Sequence, residues 1–441
     1  MSKRFAWLLG VVVLVSIGLL VACGTKYNPS SNGLVLVGSQ GSALVESFGF
    51  DLSSGHISEI SNPPSSTAGS TCVLPGVPSA MVMDPAGAYV YAIVTTNSAC
   101  PQSQTGIISI KIKSDGTVAT NGVGVSDPNP VALAMDSAGK YLFVAEGTNS
   151  DATAPNSAPC PGTTAQYGIC VYAIGSGGAL TPVPGNFTPP ATGTLPDFVA
   201  LAPTPTIFPP VPITGVQNGA CSAPGTPAPT SQFLYVADQS NNNAVWEFGV
   251  DMATGTLTNP PGHDKVQIFP AGAEPNGIAV DTCNRFVYVG NLISNNVSAY
   301  TICNASSTAA ATCPVLTGVS GGDGTLVPVA SSPFSMPGSA NGPGPMLVDP
   351  FGNFLYVVGT RSNTVSPFRI TPVSGSITGQ TNVATGLTPT AIAVRSDDSW
   401  LFVTDYGAAT LSQYAVTPAS GALTPETATT TDNYPWGVAV K

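Results

Sequence analysis

Apolar residues recur along this chain in short runs of period two, and the runs repeat as a set. The first run follows a proline and places apolar residues at the third and fifth positions after it. It occurs at Pro78 (PSAMVMD), Pro130 (PVALAMD), Pro196 (PDFVALA), Pro275 (PNGIAVD), Pro343 (PGPMLVD), Pro389 (PTAIAVR) and Pro435 (PWGVAVK). The second is a run of four aromatic or apolar residues: YVYA from Tyr89, YLFV from Tyr141, FLYV from Phe233, FVYV from Phe286, FLYV from Phe354 and WLFV from Trp400. The third has the spacing of Val245–Phe248–Val250, Val297–Tyr300–Ile302, Val365–Phe368–Ile370 and Leu411–Tyr414–Val416. The fourth is Gly-x-apolar, at Gly116, Gly178, Gly255, Gly324, Gly375 and Gly421. Alternation of period two, rich in β-branched and aromatic residues and broken by turn formers, predicts strands rather than helices.

The prolines are 52, 66, 79, 68, 46 and 46 residues apart, so the unit is constant and its loops vary. Four short strands per unit at this period are the signature of a β-propeller blade. The small residues Ala134, Ala200, Ala279, Ala393 and Ala439 in the first strand suit the crowded axis of such a ring. The two ends complement each other. LVLV from Leu34, Val45–Phe48–Phe50 and Gly55-His56-Ile57 supply strands two to four of a unit that lacks strand one, and residues 435–441 supply a strand one. The predicted fold is all-β, a seven-bladed propeller of four-stranded blades. Its ring is closed by the strand 435–441 pairing with residues 33–60.

The stretches EPNGIAVDTCNRFVYVGNLISNNVSAY and PTAIAVRSDDSWLFVTDYGAATLSQYAVTPASGALTP resemble the lactonase-type seven-bladed propellers. That family groups 6-phosphogluconolactonase-like and muconate-cycloisomerase-like proteins with the surface-layer YVTN repeats. The resemblance covers about residues 33–441. It implies lactone hydrolysis by a charged His, Arg and Glu set at the mouth of the central channel. The chain has two histidines to contribute, His56 and His263.

Composition narrows the setting. The 48 glycines and 42 prolines accompany 43% hydrophobic residues, which fits a turn-rich all-β fold rather than disorder. Charged residues make up 8% and the net charge is −11, with basic residues clustered nowhere beyond the N-terminus. Phosphate recognition needs clustered Lys and Arg, so a nucleic-acid partner is not expected. Lys3 and Arg4 precede a long apolar stretch, the pattern of a secretory signal. LVAC, ending at Cys23, resembles a bacterial lipobox, which implies cleavage before Cys23 and its acylation. The expected organisation is a signal peptide over 1–22, a lipidated Cys and tether over 23–32, and the propeller over 33–441. The expected location is the bacterial cell envelope, exported and held on a membrane by the lipid, as a monomer.

Eight cysteines remain besides Cys23, an even number that predicts disulfides in an exported chain. A propeller puts the four-to-one and two-to-three connections on one face, here called the top. Cys72, Cys100, Cys160 and Cys170 fall on the top, and Cys221, Cys283, Cys303 and Cys313 on the bottom. Proximity within a face favours Cys72–Cys100, Cys160–Cys170, Cys221–Cys283 and Cys303–Cys313. The lack of a CxxC pair and the scarcity of His speak against a metal site, and no cofactor fingerprint occurs.

Candidate chemistry comes from topology. Residues just after the second strands are expected to point at the top mouth: Thr95, Glu146, Asp238, Asn291, Arg361 and Asp405, joined by Glu274. His263 lies in a top connection and would overhang the axis. GVSGG (318–322) matches the Ser-elbow pattern but lacks its strand–turn–helix context. Two functions follow. One is a binding or scaffold module for a carbohydrate, lactone or protein ligand. The alternative is a lactonase in which Glu274, Asp238 or Glu146 activates water and Arg361 stabilises the oxyanion.

Overall fold

The computed structural model describes residues 32–60, 74–96, 104–127, 129–146, 168–184, 198–203, 232–240, 243–304, 313 and 322–441. Seven antiparallel sheets form a ring. Their innermost strands define blades 1 to 7 in order: Val77–Met83, Pro130–Met135, Phe198–Pro203, Pro275–Val280, Pro343–Val348, Pro389–Val394 and Pro435–Val440. Each touches the next, and blade 7 touches blade 1, so the circuit closes.

Closure is the predicted clasp. Pro435–Val440 pairs with Asn32–Ser39, with Val35 opposite Val440 and Ser39 opposite Pro435. The ladder runs one residue further, because the Leu34 and Lys441 backbones each donate to the other's carbonyl. Leu44–Asp51 and Ile57–Ile60 complete this blade.

The apolar core is divided into packets, one between each pair of neighbouring blades. This explains why the second strands are apolar on both sides. Leu142 and Val144 face blade 1, while Tyr141 and Phe143 face blade 3. A sheet covered on both faces needs continuous apolar runs.

The glycine of the fourth run has a partner that the sequence pattern did not reveal. The aromatic residue that opens one blade's second strand lies on the Gly of the next blade: Tyr89 on Gly178, Tyr141 on Gly255, Phe233 on Gly324, Phe286 on Gly375, Phe354 on Gly421 and Trp400 on Gly55. A Cβ at any of these glycines would fall 2.0–2.7 Å from that ring, and all six have φ between +69° and +85°. Only glycine meets both conditions without strain.

Two expectations need correction. In blade 3 the place held elsewhere by proline belongs to Phe198, opposite Asp238, just as Pro275 is opposite Asn291. The Pro196 motif is therefore two residues early, and Ala202 takes the small fourth position assigned to Ala200. A slip of two preserves the alternation of sides, so hydrophobic pattern alone does not detect it. Second, the outermost strand of blades 3 to 6 is broken. After an interruption the chain returns to the third strand through Gln267–Pro270, Phe334–Ser335, Val383–Ala384 and Thr429–Thr430.

Cys303 and Cys313 are bridged, with Cα atoms 5.5 Å apart. Cys170 and Cys283 are also disulfide-bonded. Cys23, Cys72, Cys100, Cys160 and Cys221 lie outside the described residues.

Candidate functional site

The innermost strands start at the top face, and the residues just after their first position line a cavity of about 250 Å³ on the axis. Ser79, Asn276, Thr390 and Trp436 line it from blades 1, 4, 6 and 7. Among the described residues its wall has no ionisable side chain. Asn276 and Trp436 are three blades apart in a ring of seven, so they stand on opposite sides.

Neighbours fix the orientation of Asn276. Its Oδ1 accepts from Gln239 Nε2 at 3.2 Å, which leaves Nδ2 as the donor for a ligand. A Cβ at Gly344 would lie 3.6 Å from Nδ2 and 2.5 Å from Thr360 Cγ2, so the amide hydrogens face the blade 5 side of the mouth. On the opposite wall, Tyr406 lies 4.9 Å from Tyr434 and 5.3 Å from Trp436 between ring centroids, the latter edge to face.

The rim is built by a repeated device. Asn243, Asn295 and Asn363 adopt left-handed backbone in the two-to-three turns. The Oδ1 of each accepts the backbone N–H of Glu274, Gly342 and Thr388 respectively, at the start of the next blade. Asn tolerates this conformation better than most residues. Each blade's top turn thereby positions its neighbour's first strand.

The predicted site residues separate into two groups. Glu274 and Arg361 are exposed on the top rim of adjacent blades 4 and 5. The Arg361 stem lies on Gly342, where a Cβ would come 2.7 Å from its Cγ. The other acids do not point at the mouth. Asp238 is fully buried, and its Oδ2 accepts from Trp246 Nε1 and Ser240 Oγ. Asp405 is fully buried and accepts from Thr410 and Ser412. Asn291 donates to Asn296 and Ser298. The physical reason is shared: the last residue of a second strand faces the third strand, so its polar group braces that hairpin. Thr95 is a half-buried strand end.

Glu146 is buried beside Asp127, and Asp127 Oδ2 accepts from Tyr172 at 2.6 Å. Burial, reinforced by Asp127, pushes the Glu146 carboxyl well up, and burial raises Asp127 as well. The Cys170 sulfur lies within 4.8 Å of both, but as a disulfide sulfur it is no thiolate ligand.

His263 does not overhang the axis. It sits where the broken outer strand of blade 3 loops out, against Asp323 of blade 4. Asp323 Oδ2 and Thr325 Oγ1 both approach its Nε2, at 3.1 and 3.4 Å. A relay triad needs partners on different ring nitrogens, so this contact joins blades rather than forming a triad. His56 is exposed in the turn before Ile57–Ile60. Of the GVSGG stretch, Gly322 opens a strand and the rest lies outside the described residues.

Asn276, Trp436 and the two tyrosines were not among the expected site residues. Their signal was present: Asn276 and Trp436 directly follow the repeated proline, the first side chain to reach the axis.

Residues 319–440 match the family model "Lactonase, 7-bladed beta-propeller". A comparison with curated proteins finds no match. Solved structures resemble the chain throughout. The periplasmic gluconolactonase of Pseudomonas aeruginosa shares 16% identity at TM-score 0.63, over 93% of this chain and 99% of that one. A candidate 6-phosphogluconolactonase of Bacteroides fragilis shares 16% at TM-score 0.61, over 93% and 98%. A Lactobacillus plantarum protein shares 14% at TM-score 0.62, over 93% and 99%. The chain folds as a seven-bladed β-propeller, and its residues 319–440 match the lactonase-type model of that fold.

Proposed function

We propose that this protein hydrolyses a lactone at the top mouth of its channel. The observation that carries the reading is the axial cavity with an amide donor, Asn276 Nδ2, turned toward the blade 5 side of the mouth, with Glu274 and Arg361 exposed on the rims of blades 4 and 5. The gluconolactonase named above, on the same fold, supports the reaction class by analogy.

The step is a hydrolysis. Glu274 takes a proton from water as the hydroxyl adds to the lactone carbonyl carbon. Asn276 Nδ2 and the Arg361 guanidinium stabilise the oxyanion. The ring C–O bond then breaks, its oxygen takes the proton back from Glu274, and the product is a hydroxy acid. Asn276→Ala should lower kcat by about 10²–10³-fold, the usual cost of one oxyanion donor, and Arg361→Ala should also lower it. Lactone binding with no turnover by the wild type would replace this reading with the binding-module one.

The same proposal places the ring outside the cytoplasm, tethered through an acylated Cys23. The disulfides support an oxidising compartment.

A further inference from the structure

We infer that the mouth takes an uncharged lactone with an apolar face or chain, rather than a phosphorylated sugar lactone. This deepens the hydrolysis reading and rests on it for the reaction but not for the binding.

The first ground is the distribution of exposed apolar side chains. Among the described residues, seven large hydrophobics are exposed: Val131, Ile268, Ile293, Val373, Leu387, Tyr434 and Trp436. All but Ile268 and Val373 are on the top face. Val131 and Trp436 follow the first prolines of blades 2 and 7. Leu387 and Tyr434 precede the innermost strands of blades 6 and 7. The Ile293 N–H donates to the Ala273 carbonyl at the blade 4 rim. Leu387 continues the aromatic corner, because the Gly407 N–H beside Tyr406 donates to the Leu387 carbonyl. Trp436 lines the cavity, and Tyr434 and Leu387 adjoin it through Tyr406 and its neighbour, an apolar corner of the kind that receives a ligand's apolar part.

Tyr434 adds a second ground. It holds left-handed backbone, φ +61°, and is 50% exposed. The matching positions in blades 4, 5 and 6 are Glu274, Gly342 and Thr388, which share this conformation, so what sets blade 7 apart is the aromatic ring it exposes there. A bulky aromatic residue there accepts backbone strain while presenting its ring to the mouth.

The third ground is charge. A phosphate dianion is held by clustered Arg and Lys. Arg361 is the cation of the top face among the described residues, and Glu274 stands on the adjacent blade. The sequence holds no Lys or Arg between Lys140 and Lys265 or between Arg285 and Arg361, and Lys265 lies beside His263 in the loop of blade 3's interrupted outer strand. The other cations of the ring lie toward its bottom or outer edge. Lys140 reaches the Met252 and Ala253 carbonyls, Lys441 that of Gly87 and Arg369 that of Ala419. A volume of about 250 Å³ is below the roughly 300–1,000 Å³ of drug-sized sites, so the cavity suits one ring whose substituent lies on the collar.

The test uses the propeller from residue 24 onward, with three δ-lactones compared by proton release. One carries an alkyl chain, one is an unphosphorylated sugar lactone and one a phosphorylated sugar lactone. A non-hydrolysable alkyl δ-lactam is titrated separately by tryptophan fluorescence and calorimetry. The expected order of kcat/KM is alkyl, then sugar, then phosphosugar. Trp436→Ala and Leu387→Ser should each cut the alkyl preference by about tenfold or more, the scale of one lost apolar contact. Best turnover of the phosphorylated lactone, or an alkyl preference unchanged in both variants, overturns the inference while leaving hydrolysis intact. Lactam binding that depends on Trp436, without turnover of any lactone, upholds the inference and removes the hydrolysis reading. Neither binding nor turnover overturns both.

Discussion

Gly375→Ala tests how the blades are held together. Gly375 has φ +72°, and a Cβ there would lie 2.4 Å from Phe286 Cδ1 and 2.6 Å from Cε1 of the preceding blade. The Tyr288 hydroxyl donates to the Gly375 carbonyl at 3.1 Å, so the turn cannot retreat without losing that bond. Two costs add. Left-handed backbone costs an alanine about 1–2 kcal/mol, and forcing a methyl into a packed interface costs about 1–3 kcal/mol more. Gly177 separates them, because its φ is +74° and nothing lies within 4 Å of its Cβ position. In equilibrium urea unfolding, Gly177→Ala should therefore cost only the backbone part and Gly375→Ala about 2–5 kcal/mol in total. Phe286→Leu in the Gly375→Ala background should recover part of the difference, because the crowding ring is gone. Equal costs for the two single variants would refute the aromatic–glycine lock.

Deleting 435–441 removes the whole strand that pairs with Asn32–Ser39 and should lower the thermal midpoint of the entire ring; an unchanged midpoint would mean that the ring does not depend on this clasp. Asp398 is pushed up to about 8, by burial first and by Asp349 second. The folded ring keeps this proton where the unfolded chain, near 3.8, has released it, so its stabilisation is full below pH about 4 and is lost as pH rises through about 8. Asp398→Asn keeps a residue suited to φ +56° and should flatten the fall in stability between pH about 4 and about 8; an identical pH profile in chemical denaturation would contradict this. For the anchor, metabolic labelling with a radioactive fatty acid should mark the full-length chain, and Cys23→Ser should lose the label; label retained in that variant would place the acyl group elsewhere.

The ring was legible in the sequence because its evidence is periodic. Seven proline-led strands, the aromatic runs and the glycines each recur, and the unmatched strand at Pro435 has one place to go. The mouth was less legible. Asp238, Asp405 and Glu146 sit at the expected strand ends, but which way a strand end faces depends on a bulge that pattern does not show. His263 followed its loop outward because the outer strand of blade 3 is interrupted there. Asn276 and Trp436 escaped notice because Asn and Trp stand out as chemistry only once their ring position is known. Glu274 and Arg361 are exposed on the rim, where the Asn243 cap holds one turn and the Gly342 contact the other.

The most direct test of the proposed reaction is a pH-stat measurement of proton release from lactones by the propeller from residue 24 onward, beside its Glu274→Gln variant. Hydrolysis at the mouth predicts release above the spontaneous rate. Glu274→Gln should slow it by about 10²–10⁴-fold, the share of a general base, with lactam affinity retained. Release no faster than buffer, or equal in the two proteins, would contradict lactone hydrolysis through Glu274.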